Sequence, residues 1–408
     1  MNIIEGGAAA AKGFSAWGLR AGIKAGKTNK DMAMLYSKKP AVTAGTFTLN
    51  VVKAAPVLWD KKIVEECETA QAVVINSGIA NACTGDEGYQ NTERMAAETA
   101  ALFGLRKEAV FVASTGVIGK QLDMDIISSG IQAFSGKLAE SREAGTLAAE
   151  AILTTDTHKK EIAVQFTLGE KTVTLGGMCK GSGMIHPNMG TMLGFLTTDV
   201  AISKPLLTKA LKENIKDTFN MVSVDGDTST NDTVLIMANG MAGNTEITEE
   251  NGDYEIFCEA LNMVNTYLAK QIAGDGEGAT RLLETTVINA PDKDTAVLLS
   301  KSIITSNLTK AMIFGRDANC GRILCAMGYS GAQFDPYKVD VPVSSEKGTL
   351  KLVENGMATD YNEDFATEIM TPEQVVITVD VKAGDVKATA WGCDLTYDYV
   401  KINADYRS

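Results

Sequence analysis

The chain has 408 residues, 45% hydrophobic and 22% charged, which is enough to bury a large core and, by length, to hold two or three domains. A formal net charge of -13 argues against non-specific binding to nucleic acid or an anionic membrane, both of which need clustered Lys and Arg; a small-molecule partner fits better. Seven cysteines (67, 83, 179, 258, 320, 325 and 393) and two histidines offer no CxxC pair and no zinc-like spacing, so the thiols read as reduced and no metal is expected.

The predicted elements alternate along the chain. A strand at Gln71 to Asn76 (QAVVIN) precedes a helix at Asn91 to Phe103, and a strand at Ala109 to Ala113 (AVFVA) precedes a helix at Ile126 to Glu140. Next come a helix at Lys204 to Lys216, a strand at Thr233 to Ala238 (TVLIMA) and a helix at Tyr254 to Ile272. A strand at Thr285 to Asn289, a helix at Asp294 to Thr305 and a strand at Val375 to Val381 complete the series. Short apolar runs alternating with stretches of helical period predict an α/β fold of layered sheets with helices outside. No repeat, low-complexity segment or Pro-rich linker marks a domain boundary. Residues 1–20 lack a signal-like apolar core and no 18-residue apolar run occurs, so the expectation is a soluble, cytoplasmic protein.

Two glycine motifs suggest nucleotides and are discounted. Residues 21–28, AGIKAGKT, satisfy a relaxed phosphate-binding loop, but that loop needs a buried strand before it and a helix after it. The preceding AKGFSAWGLR reads as no strand, which leaves a turn with solvated lysines. Gly274, Gly276 and Gly278 follow a helical pattern, so they are not a dinucleotide fingerprint. A nucleotide-binding regulatory protein is therefore the weaker, non-catalytic reading.

A Ser-His-Asp or Cys-His arrangement needs a histidine base, and only His158 and His186 are present. Both also read as ordinary loop histidines. Without histidine a hydroxyl can be activated by an amine, and the α-amine of an N-terminal Ser or Thr titrates near pH 8, low enough to act as base at neutral pH. Six glycines between Gly176 and Gly194 interrupt what would otherwise be strand, and within them Thr191 follows Gly190 and opens an apolar run. If Thr191 attacked the carbonyl before it and the ester hydrolysed, it would become a new N-terminus carrying its own base. An ordinary threonine starting a strand accounts for the same residues.

That stretch, with Gly190, Thr191, Met192 and Leu193, resembles the ATML signature of the ornithine acetyltransferase (bifunctional glutamate N-acetyltransferase) family, whose members cleave themselves before the threonine. The resemblance runs along the chain in order: KGF at Lys12, AGIK at Ala21, FTLN at Phe47, AAPV at Ala54, ASTGVIG at Ala113, TTDT at Thr154, DGEGAT at Asp275, GRDANCGRIL at Gly315, GYSG at Gly328 and YVKINADYRS at Tyr399. It implies the family's α/β fold, akin to that of N-terminal-nucleophile-like aminopeptidases, and chains 1–190 and 191–408 associated as a heterotetramer of two copies of each. It also implies an enzyme moving acetyl from N-acetylornithine to glutamate with no cofactor, and leaves open whether acetyl-CoA is a second donor.

The resemblance assigns Thr191 as nucleophile, Thr115 and Gly116 as the oxyanion hole, and Thr154, Lys180, Thr191, Glu277, Asn403 and Ser408 as substrate-binding residues. Gly190 stands where the family usually has alanine; its missing Cβ opens the scissile carbonyl and loosens the backbone. The rival enzyme is an N-terminal-threonine amidase or aminopeptidase that gives the acyl group to water.

Overall fold

The computed structural model describes residues 1–186 and 192–405, so Gly190, Thr191 and Ser408 lie outside the described residues. The first of two sheets is built from β1 (Asn2–Ile4), β2 (Phe14–Leu19), β3 (Met32–Phe47), β4 (Thr69–Ile79), β5 (Val110–Val117), β6 (Lys160–Leu168), β7 (Lys171–Lys180), β8 (Leu193–Thr198) and β9 (Thr233–Ala238). Its order is β1-β6-β7-β8-β9-β3-β4-β5, with β2 paired to β3. The second contains β10 (Leu282–Ala290), β11 (Val341–Ser345), β12 (Gly348–Glu354), β13 (Met357–Ala358), β14 (Gln374–Asp380) and β15 (Val386–Cys393), ordered β13-β12-β11-β14-β10-β15.

The helices are α1 (Ala55–Glu66), α2 (Gly85–Phe103), α3 (Met124–Gln132), α4 (Arg142–Ala151), α5 (Lys204–Asp217), α6 (Gly252–Gly274), α7 (Lys293–Thr305), α8 (Asn307–Gly315), α9 (Cys320–Gly328), α10 (Glu363–Ile369) and α11 (Tyr397–Asp405). The architecture is the layered α/β fold expected. No helix among the described residues is long and apolar enough to cross a membrane.

The first sheet is buried on both faces, as the alternation on β9 makes plain: Val234 and Ile236 enter one apolar cluster, Leu235 and Met237 the other. Such strands read as continuous apolar runs because neither face meets water. The long β3 serves two partners, pairing with β4 from Met32 to Tyr36 and with β9 from Val42 to Phe47. Its register with β4 slips between Tyr36 and Ala41, across the exposed Lys38, Lys39 and Pro40, where proline has no N–H for a ladder.

Helix α6 ties the sheets together. Asn251 caps it by accepting from the Tyr254 N–H, and Phe257, Leu261, Val264, Leu268 and Ile272 recur at helical spacing, all buried. It packs on β6 and β7 of the first sheet and on β10 and β15 of the second.

Two expectations are corrected. The AKGFSAWGLR stretch does contain a strand, β2; its alternation is hidden because nearly every residue is buried. The helix predicted from Ile126 to Glu140 stops at Gln132, because the next residues turn through Gly136 at φ 70° and lay Ala139 against Ala16 in a β-bridge.

Candidate active site

Parallel β4 and β5 end side by side with a register irregularity at Gly78 and Ile79. Gly116 lies there at φ 128°, and a Cβ on it would stand 2.3 Å from the Gly78 carbonyl carbon. Only glycine fits an approach this close, and the irregularity re-aims the backbone at the strand ends. Asn231 braces the spot: its Nδ2 donates to Ala80 O at 2.6 Å and to Ser114 O at 2.8 Å. Ser114 in turn donates its hydroxyl to Asn76 Oδ1 at 2.6 Å.

Opposite this edge, Lys180 ends β7 and Thr154 follows α4. Glu277 comes shortly after α6, where its N–H donates to Ser182 O at 3.1 Å. Its carboxylate lies across Gly183, where a Cβ would come within 2.4 Å of it, so the glycine at 183 is what lets the acid reach this wall. Asn403, on the exposed α11, donates through Nδ2 to Glu277 Oε2 at 2.7 Å.

Thr115, Gly116, Thr154, Lys180, Glu277 and Asn403 line one cleft of about 160 Å3, together with Met184, Met192, Asn231 and Asp232. Six residues expected at the site, drawn from distant parts of the chain, therefore meet around a small-molecule-sized space. The chain on either side of residues 187–191 is held by the segment 224–233. Asp225 accepts from the N–H groups of Met184 at 2.6 Å and Ile185 at 2.8 Å, Val224 N–H donates to Ile185 O at 2.7 Å, and the Thr228 hydroxyl donates to His186 O at 2.8 Å. On the far side Thr233 N–H donates to Met192 O at 2.9 Å.

Neither histidine lines the cleft. His158 is half exposed beside Thr157 and Gln271. His186 pairs with the Ser223 hydroxyl at 3.0 Å; burial, helped by the Lys301 charge, pushes its pKa down to about 4.

The 21–28 loop leads into β3, with no helix after it, and its anion-binding nest is already filled. The N–H groups of Ala21, Gly22 and Lys24 donate to the Asp31 carboxylate at 2.6, 3.0 and 3.2 Å. Lys24 donates to Leu153 O at 2.7 Å, one residue before Thr154, and burial, stronger than the opposing pull of Asp31, lowers its pKa to about 8.

The model of the ArgJ family matches residues 15–408. The chain belongs to the ArgJ family. It is 52% identical over 395 residues to the arginine biosynthesis bifunctional protein ArgJ 1 of Clostridium acetobutylicum, covering 97% of this chain and 96% of that one. It is 50% identical over 408 residues to the arginine biosynthesis bifunctional protein ArgJ of Caldanaerobacter subterraneus, covering 100% of both. Among solved structures, the arginine biosynthesis bifunctional protein ArgJ of Bacillus halodurans is similar with a TM-score of 0.50 and 44% identity, over 52% of this chain and 99% of that chain.

The motifs of the sequence brought Thr115, Lys180 and Glu277 forward, but not the reasons those residues converge on one cleft. Asn231, Asp225 and Asp156 carry no motif signal of their own beyond TTDT. Their work is to hold backbone, which becomes visible only when partners distant in sequence are adjacent.

Proposed function

We propose that this chain is an acetyltransferase of arginine biosynthesis that moves acetyl from N-acetylornithine to glutamate after cleaving itself between Gly190 and Thr191. The observation that carries the reading is the convergence of Thr115, Gly116, Thr154, Lys180, Glu277 and Asn403 on one small cleft. Met192, the residue after the proposed nucleophile, lines the same space. Lys180 complements a substrate carboxylate and Glu277 an ammonium, the two charges an amino acid carries.

In the proposed reaction Thr191 Oγ, deprotonated by its own α-amine, attacks the acetyl carbonyl of N-acetylornithine. The oxyanion forms against Thr115 and Gly116. The C–N bond then breaks, the α-ammonium returns its proton to the departing amine, and ornithine leaves an acetyl ester on Thr191. The glutamate amine attacks that ester, giving N-acetylglutamate and restoring the hydroxyl. Acetyl-CoA can load the same ester, its thiol leaving in place of ornithine. The residues carry this chemistry by themselves, without a metal or organic cofactor. Ser408 and Thr154 complete the substrate contacts, and the setting is the cytoplasm, as two copies each of chains 1–190 and 191–408. Half-length mature chains fit the Bacillus halodurans match, in which 99% of the solved chain corresponds to 52% of this one.

Replacing Thr191 with Ala removes both nucleophile and base. The purified variant is expected as one 408-residue chain by intact mass, with no glutamate-dependent acetyl transfer, whereas the wild type gives two fragments meeting between 190 and 191. Normal processing or turnover by the variant would refute the assignment. A wild-type enzyme releasing acetate as fast without glutamate as with it would be an amidase instead.

A further inference from the structure

Beneath the cleft wall that bears Thr154 and Lys180 lies a group of four charges. The Asp156 side chain is fully buried. Its Oδ1 accepts from the Gly181 N–H at 2.7 Å and from Lys160 Nζ at 2.7 Å, and its Oδ2 accepts from the Thr154 N–H at 3.1 Å. Lys160, also fully buried, bridges to Asp275 Oδ2 at 2.5 Å. Asp275 accepts from the Thr157 N–H at 3.0 Å and from its hydroxyl, and its own carbonyl accepts from the Ser182 hydroxyl at 2.7 Å. The Lys180 ammonium stands 3.8 Å from Asp156 Oδ2, outside hydrogen-bond reach.

Burial would raise the Asp156 carboxyl, but Lys180 and Lys160 outweigh it and hold the pKa well below the usual range. Burial likewise works against the Lys160 charge, and the two carboxylates more than restore it. Two buried carboxylates and two ammonium groups thus balance. Within that balance Lys160 is committed to both acids, while Lys180 is attracted to Asp156 without being tied up by it. An unshared carboxylate would draw Lys180 into a close pair and compete with a substrate carboxylate for it.

We propose that Asp156, its charge shared with Lys160, is the positioning residue of the substrate-carboxylate site: one carboxylate sets the Lys180 ammonium and fixes the backbone on both sides of it through Gly181 and Thr154. This rests on the reading of Lys180 as the partner of the substrate carboxylate.

The test compares steady-state acetyl transfer to glutamate by the self-cleaved wild type, Asp156→Asn, Lys180→Met and the double variant. Asp156→Asn is expected to raise KM for glutamate and for N-acetylornithine about 10- to 100-fold, the range for losing one charged contact, with kcat changed only a few-fold and cleavage into two fragments retained. Because Asp156 acts through Lys180, the double variant should be no worse than Lys180→Met alone. Losses that multiply, or an unchanged KM in Asp156→Asn, overturn the proposal.

Should Asp156→Asn fail to fold because Lys160 is left with one acid, Asp156→Asn with Lys160→Met removes a charge of each sign and should fold and show the same rise in KM. Failure of both variants to fold would make Asp156 a structural residue and overturn the proposal. A wild type without glutamate-dependent transfer would instead remove the reading of the site itself, a result distinct from a working wild type that Asp156→Asn matches.

Discussion

A Cβ at position 116 would lie 2.3 Å from the carbonyl carbon and 2.4 Å from the carbonyl oxygen of Gly78, on a backbone already at φ 128°. An alanine there has to push β4 and β5 apart, and a shift of a few tenths of an ångström misaims any donor at the strand ends. Gly116→Ala is therefore expected to lower kcat about 100- to 1000-fold, the usual effect of losing one oxyanion donor, with KM much less affected. Gly119→Ala is the control. It has a comparable positive φ of 83° but open space around the added carbon, so its strain should appear in thermal stability and leave kcat near wild type. Equal kcat in the two variants would remove Gly116 from the proposed oxyanion site. At this scale the resemblance to a known family pointed to Lys180 and Glu277, and both line the cleft. The sequence was silent where a residue works by gripping another's backbone, as Asn231 grips Ala80 and Ser114.

Among the elements, legibility followed burial pattern. The strand predicted at Thr233 to Ala238 is β9 residue for residue, because a run buried on both faces is apolar throughout. The helices predicted from Lys204, Tyr254 and Asp294 begin within two residues of α5, α6 and α7, whose apolar stripes face one side. β3, β6 and β7 were missed: charged or glycine residues break their apolar runs, and only pairing shows why they are strands. Gly176 lies where a Cβ would be 2.1 Å from Gly7 O, a close approach that no local pattern encodes.

The Gly-rich turn after β7 depends on the 224–233 segment in the same non-local way, Asp225 holding two consecutive N–H groups of a turn in which Met184 sits at φ 58°. Asp225→Ala leaves those donors without their carboxylate, at a cost of about 1–3 kcal/mol, and frees the chain leading into residue 187. The expected result is a lower melting temperature and slower appearance of the two fragments after synthesis, followed by gel electrophoresis over time. Cleavage at the wild-type rate would mean that the anchored turn has no part in presenting the bond.

For the molecule as a whole, the position of residues 187–191 between β7 and β8 decides what cleavage can do. β8 and β9, both after the proposed cut, lie between β7 and β3, both before it. Hydrogen-bonded ladders join β7 to β8 from Leu175 to Lys180 and β3 to β9 from Val42 to Phe47. Leu196, Val234 and Ile236 share one apolar cluster with Val164 and Leu175, while Phe195, Leu235 and Met237 share the other with Met34 and Val74. Withdrawing the fragment 191–408 would tear out the middle of a sheet and expose both of its faces to water, at about 25 cal/mol for each Å2 of apolar surface. Cutting one peptide bond supplies nothing comparable. The two fragments are therefore expected to co-elute on native size exclusion and to unfold in a single cooperative transition, separating only in denaturant. A fragment that leaves the column alone in native buffer, still folded, would contradict the interleaved sheet.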